Sequence, residues 1–340
     1  IVCIYRTGRG AFILITIHHA ILHILDFTSG LTVFSDQDLE LEDSTLTFLL
    51  KHIEKSLNDQ SAKNGTFYED SACKQKLAAY VATELSFADF SRYIAETIYA
   101  AVAHAEEMDS ADILVIDAEI EETRQLIIFK CNNHKGFIHQ VVQTPDGIKN
   151  DIVNHCAIMP NISQRISEFA FIDLSSQTIK FTAPLYSIDG NKVCIMSEIL
   201  LECAHTASPK ELLKTVGQVA RKVAAEYGQD DVQAVTAVKS FIAENIQSSD
   251  QLDPLAIGRE VFKEHPGMQA DYDKQLQSAG LTDPVQIDQE FTLKKMKNHK
   301  LKTDTGIELT IPLDYFNNTD YIEFVNNEDG TISITLKHIM

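Results

Sequence analysis

The sequence predicts an α+β protein: a mixed N-terminal domain with helices and an antiparallel sheet, a helical middle region and a small C-terminal β module. Three observations carry this. Residues 43–103 hold amphipathic helical patterns, and residues 111–203 hold short β-branched runs separated by turn residues. Residues 206–282 return to helical periodicity with repeated capping signals, and residues 285–340 alternate again.

The first long run is "LITIHHAILHILDF", Leu14 to Phe27. Its β-branched content suits a buried strand. "TSGLTVFSD" follows as a turn and a second strand, a hairpin partner. "EDSTLTFLLKHIEKSLND" places Leu46, Leu49, Leu50 and Ile53 at helical spacing. "CKQKLAAYVATEL" reads as a second helix. "SFADFSRYIAETIYAAVAHAEEM" reads as a third, opened by Ser86 with Asp89 three residues on, and with Phe90, Ile94, Ile98 and Ala101 on one face. "ADILVIDAEI", "RQLIIFKCN" and "FIHQVVQT" read as a meander. "EFAFIDL", "TIKFTAPLY" and "KVCIMSEILLE" continue it as strands, with turns at Asp189-Gly190-Asn191 and around Ser175-Ser176.

In the helical region, "SPKELLKTVGQVARKVAAEYG" carries Ser208 as N-cap, Pro209 in the first turn, Glu211 at the capping-box position and Gly228 at the end. "DDVQAVTAVKSFIAENIQ" is the next helix. "DPLAIGREVFKEH" repeats the Asp-Pro start, and "MQADYDKQLQSAG" ends at another glycine. "LKKMKNHKLKTDTGIELTIPLDYF" and "YIEFVNNEDGTISITLKHI" alternate, with Asp329-Gly330 as a hairpin turn. The domains expected are therefore 14–205, 206–282 and 285–340. Residues 1–13, with Arg6 and Arg9 before a short apolar run and no small-x-small cleavage site, read as a non-native or disordered lead.

Charge and motifs bound the function. The chain of 340 residues has a formal net charge of −20, which excludes a general polyanion binder and disfavours a membrane surface. No apolar run reaches the roughly 20 residues of a membrane span. The six cysteines are scattered without a C-x-x-C pair and read as reduced, buried thiols of a cytoplasmic protein. Phosphate loops, dinucleotide fingerprints and the G-x-S-x-G elbow are absent, so no cofactor is expected. His18, His19 and His23 raise a metal site. On a strand, His19 and His23 stand about 13 Å apart, beyond the reach of one zinc ion. On a helix they form an i, i+4 pair, but Ala20 occupies the place of the glutamate in H-E-x-x-H. A third ligand from His155 with Cys156 stays open, and no metal residue is assigned.

A metal-dependent nuclease needs clustered carboxylates and a lysine that steadies the attacking water. Asp112, Asp117 and Glu119 lie on one strand and Lys130 ends the next, but Ile128 stands where such sites carry an acid. Asp117, Glu119 and Glu121 then fit the solvent face of an antiparallel sheet. His155 and Cys156 point to opposite faces of a strand, which suits a nucleophile pair poorly. No catalytic residue is assigned.

Basic residues run against the overall charge. Lys294, Lys295, Lys297, Lys300 and Lys302 fall within nine residues, and Lys210, Lys214 and Arg221 lie close to one face of the helix after Ser208. Such patches suit a phosphate backbone, whose neutralisation releases counterions. Lysine-rich edge strands that prevent sheet-to-sheet association give the same pattern.

"HHAILHILDF…LTVFSDQDLEL", "FLLKHIEK", "ADILVIDAEIE" and "TDTGIELTIPLDYF…YIEFVNNEDGTISITLKHI" together resemble the bacterial nucleoid-associated protein family of the NdpA-like kind. The resemblance runs from about Leu14 to the C-terminus. It implies a cytoplasmic protein found with the bacterial nucleoid, associated with double-stranded DNA in chromosome organisation, without known enzymatic activity. The family supplies no contact motif, so the eight basic residues are chosen from charge alone. The acidity, unlike the basic character of abundant DNA-compacting proteins, favours a modest or partner-dependent role at the nucleoid over bulk compaction. No base-reading helix is evident, so any DNA contact is expected to be non-specific or weakly specific. "IPLDYF…DYIEF…DGTISI" also looks like the swapped-hairpin modules of bacterial transition-state regulators, which bind DNA as dimers, so a homodimer stays open. The rivals are a protein-interaction module recruited by a DNA-bound enzyme, and a metal-dependent nuclease.

Overall fold

The computed structural model describes residues 2–6, 12–302, 305–312, 315, 318, 320–327 and 332–338. The chain divides into two compact units, residues 1–205 and 206–340.

The first unit begins with β1 (Val2–Arg6), β2 (Phe12–Asp26) and β3 (Leu31–Val33). Then come α1 (Asp43–Leu57), β4 (Lys63–Phe67), α2 (Ala72–Val81) and α3 (Phe87–Ala103). The strands β5 (Ala111–Ile120), β6 (Thr123–Asn132), β7 (His134–Thr144) and β8 (Gly147–Ile158) follow. The unit closes with β9 (Glu168–Asp173), β10 (Thr178–Phe181), β11 (Tyr186–Ile188), β12 (Asn191–Val193), one widened π turn (Ile195–Leu200) and β13 (Cys203–His205). An antiparallel sheet in the order β1-β2-β5-β6-β9-β10-β4-β13, with β3 beside β2, forms its centre.

Both faces of this sheet are covered. On one, Ile15, Ile17, Leu114, Ile116, Ile127 and Phe129 pack against Leu49, Leu50 and Ile53 of α1. On the other, Ile113, Val115, Leu126 and Ile128 pack against Phe90, Ile94 and Ile98 of α3 and the π turn. Two differences from the sequence reading matter. Strand β7 leaves the sheet and, among the described strands, pairs only with β8, so β6 is followed by β9. The run "IMSEIL" within "KVCIMSEILLE" coils, with the Leu201 amide donating to the Met196 carbonyl. Within the lead segment, Val2–Arg6 is a strand in register with Phe12–Thr16.

The second unit holds α4 (Pro209–Glu226), α5 (Asp231–Asn245), β14 (Gln251–Leu252), α6 (Pro254–Val261) and α7 (Pro266–Ser278). It continues through β15 (Val285–Gln286) and α8 (Gln289–Met296) to the hairpins β16 (Asn298–Lys302) with β17 (Glu308–Pro312) and β18 (Ile322–Asn326) with β19 (Ile332–Leu336). The capping box forms as the sequence predicts: the Ser208 amide donates to Glu211 Oε2 at 3.0 Å, and the Glu211 amide donates to Ser208 Oγ at 3.2 Å. Asp253 caps α6 ahead of Pro254. Gly258 lets α6 approach α7, since a Cβ there falls 2.3 Å from the Tyr272 ring. "LKKM" is the last turn of α8, so the stretch expected to be wholly β opens with a helix. The Asp329-Gly330 turn lies outside the described residues.

Candidate nucleic-acid interface

Helix α4 buries Leu212, Val216, Val219, Ala220 and Val223, which turns Lys214 and Arg221 to the rim of its apolar stripe. Helix α5, capped by Asp230, packs beside it through Ala234, Val238 and Ile242. Between them runs a groove of about 240 Å³, floored by Leu213, Gly217, Val235, Val238 and Ile242. Lys214, Arg221 and Lys239 stand around it, and Met296 of α8 closes one side.

Met296 is the residue of the second basic stretch that lines the groove. Lys294, Lys295 and Lys297 flank it in sequence and are exposed. Lys210 is exposed one turn ahead of Lys214 on α4. Lys294 lies 2.6 Å from Glu290, and Arg221 Nε lies 3.4 Å from Asp231. Both pairs are exposed, where an ion pair is worth about 0–1 kcal/mol, so a phosphate can replace the acid at little cost. Lys295 sits over the Phe291 ring. Lys300 and Lys302 lie on β16 opposite Thr310 and Glu308, and their side chains lie outside the described residues.

Lys239 has no counterpart in the sequence reading. It donates to the Asn298 carbonyl at 2.9 Å, and burial together with the Arg221 charge lowers its pKa. A single lysine in "AVTAVKSFIAEN" gives no signal for this, because the groove is made by packing and not by spacing. Among the described residues, no aromatic side chain lines the groove.

The sequence pattern of the family described as nucleoid-associated protein YejK matches residues 21–340. The chain belongs to this family. It is thus a nucleoid-associated protein by family, in keeping with the segments that carry the resemblance. A comparison with curated proteins found no match.

In this family member the residues of the nuclease reading do not converge. Asp112 shares its sheet face with Leu114 and Ile116, toward α1, whereas Asp117 and Lys130 face α2 and α3. Lys130 opposes Ile113, so Asp117 lies four residues further along, about 13 Å away. Asp117 is not on a solvent face: it is 0% exposed, bonded by Arg124 Nη2 at 2.7 Å and by the Tyr80 hydroxyl. Lys130 is 1% exposed and donates to Glu168 at 2.8 Å, to the Tyr186 hydroxyl at 2.9 Å and to Asn132. Its three protons are all engaged, which leaves none for an attacking water.

The histidines also separate. His18 lies 3.9 Å from Glu119, and His19 lies 2.9 Å from Asp38 and stacks on Phe87. A bulge between Ile17 and His19 sets this phase. His23 is buried and accepts from the Ser35 amide, and burial with the Arg92 charge lowers its pKa to about 4. His155 and Cys156 sit on β8, and the Cys156 side chain lies outside the described residues.

Burial and the neighbouring Asp26 charge raise the Asp112 pKa to about 6. The folded state then keeps a proton that the unfolded state loses near pH 4. Stability falls as pH rises from about 4 to 6 and stays lower above that window. Asp112→Asn removes the cost of ionisation. It is expected to stabilise the protein at pH 7.5 by up to about 3 kcal/mol, with little difference from wild type near pH 4. Urea unfolding of both proteins at the two pH values checks this.

Proposed function

We propose that this nucleoid-associated protein contacts double-stranded DNA directly, through the α4–α5–α8 region of its second unit, with low sequence specificity and without catalysis. The observation that supports the reading best is the gathering of Lys214, Arg221 and Lys239 around one groove whose side is Met296, between Lys295 and Lys297. Lys210, Lys294, Lys300 and Lys302 extend the set of phosphate contacts. These are long side chains on the backs of helices and on a hairpin. That arrangement suits phosphates more than base edges, which are read by an element inserted in a groove of the duplex. The role follows at the bacterial nucleoid in the cytoplasm, as a modest contribution to chromosome organisation, because a −20 chain repels DNA outside its basic face.

Fluorescence anisotropy of the full chain against two short duplexes of unrelated sequence, across a salt series, tests this. The expected result is similar affinity for both, with log K falling linearly as log salt rises. No binding even at low salt overturns direct contact and moves the link to the nucleoid onto a DNA-bound protein partner. Magnesium-dependent cleavage of either duplex overturns the non-catalytic part.

A further inference from the structure

The hairpin β7–β8 stands outside the main sheet and pairs with no other described strand. Its turn, Thr144-Pro145-Asp146-Gly147, is tight, with Gly147 at φ +134°. The register sets Phe137, Val141, Ile148 and Ile152 on one face of the ribbon. All four are exposed, Ile152 at 81% and Phe137 at 77%. An isolated two-stranded hairpin is marginal in water, and stability comes with three or more strands sharing an apolar face. Exposed apolar patches with a free strand edge mark association sites.

The sequence of β8 says what fits this edge. "IKNDI", Ile148 to Ile152, is charge-palindromic about Asn150. An antiparallel copy centred on Asn150 sets Lys149 opposite Asp151 and Ile148 opposite Ile152, each twice. Within one chain Lys149 already lies 2.8 Å from Asp151, so both charges occupy the same face of the strand. The hairpin from His134 to Ile158 holds two lysines and two aspartates, a neutral arm on a chain of net charge −20. Two copies can meet there without the repulsion that their other surfaces exert.

We infer that the β8 edge is a homodimer interface, joining two hairpins into a four-stranded antiparallel sheet with its two-fold axis at Asn150. The partner is a second copy of this chain because the charge pattern is complementary to its own reverse, the requirement of an isologous contact. The paired sheet carries eight apolar side chains on one face, with Ile148 and Ile152 in direct cross-strand contact. This inference stands independently of DNA contact.

The test uses the full chain. Sedimentation equilibrium is expected to show a monomer–dimer equilibrium that Lys149→Asp weakens at least tenfold. The double swap of Lys149→Asp with Asp151→Lys is expected to restore it, because the palindrome is regained. Asn150→Cys is expected to form an intermolecular disulfide on mild oxidation, since facing Cα atoms stand about 4.5–5.5 Å apart. Ile148→Cys, about 13 Å from its own symmetry mate, is expected not to do so. A chain that stays monomeric at all concentrations overturns the inference. So does a dimer that ignores Lys149→Asp, or one in which Asn150→Cys fails to cross-link, since its contact then lies on another surface.

Discussion

Lys130→Ala is expected to lower the unfolding free energy by about 3–5 kcal/mol, because it strands a carboxylate in the core. Lys130 and Glu168 face each other across β6 and β9 at 1% and 2% exposure. Tyr186 bonds both, and burial together with the Glu168 charge raises the pKa of its hydroxyl. Removing the ammonium leaves Glu168 with the Tyr186 hydroxyl but with no counter-charge. The double variant Lys130→Met with Glu168→Leu removes both charges while keeping volume, and is expected to recover most of the loss. Urea unfolding of wild type, Lys130→Met, Glu168→Leu and the double variant measures the coupling. A Lys130→Ala cost below about 1 kcal/mol contradicts a desolvated pair. A double variant no better than the single shows that packing, and not charge, holds the site.

The second large effect concerns DNA. Converting Lys214, Lys294, Lys295 and Lys297 to Gln together is expected to reduce the salt slope of duplex binding by about 3–4. Each phosphate contact contributes about 0.9. At 0.1 M salt the affinity is expected to fall by roughly 10³- to 10⁴-fold, uniformly across sequences. All four side chains are exposed, so stability is expected to change little. Lys274→Gln, an exposed lysine on α7 away from the groove, is the control. An unchanged slope in the fourfold variant removes these residues from the interface.

Much of the architecture was legible in local chemistry. Ser208 with Pro209 and Glu211, and Asp253 with Pro254, mark helix starts because each satisfies orphan amides within one turn. The face of Phe90, Ile94, Ile98 and Ala101 is buried as its spacing predicts. Non-local packing was not legible in this way. Strand β4, "KNGTF", is short and glycine-containing, and joins the sheet through β10 and β13, which lie far away in sequence. Asp117 alternates with apolar neighbours as a surface residue does. The sheet is covered on both faces, however, and the partners that make Asp117 a buried residue, Tyr80 and Arg124, come from α2 and from the next strand. The turn Thr144-Pro145-Asp146-Gly147 was a readable hairpin signal, and it would have revealed β8. The groove's Lys239 and Met296 are separated by more than fifty residues, and no spacing rule joins them.

The measurement that tests the central claim most directly is a lysine-labelling footprint of the full chain, with and without a short duplex at low salt. Direct contact through the basic groove predicts that Lys210, Lys214, Lys295 and Lys297 become protected together, while Lys263 and Lys274 label unchanged. Protection confined to residues 1–205, or none at all under conditions where the duplex is bound, would contradict it.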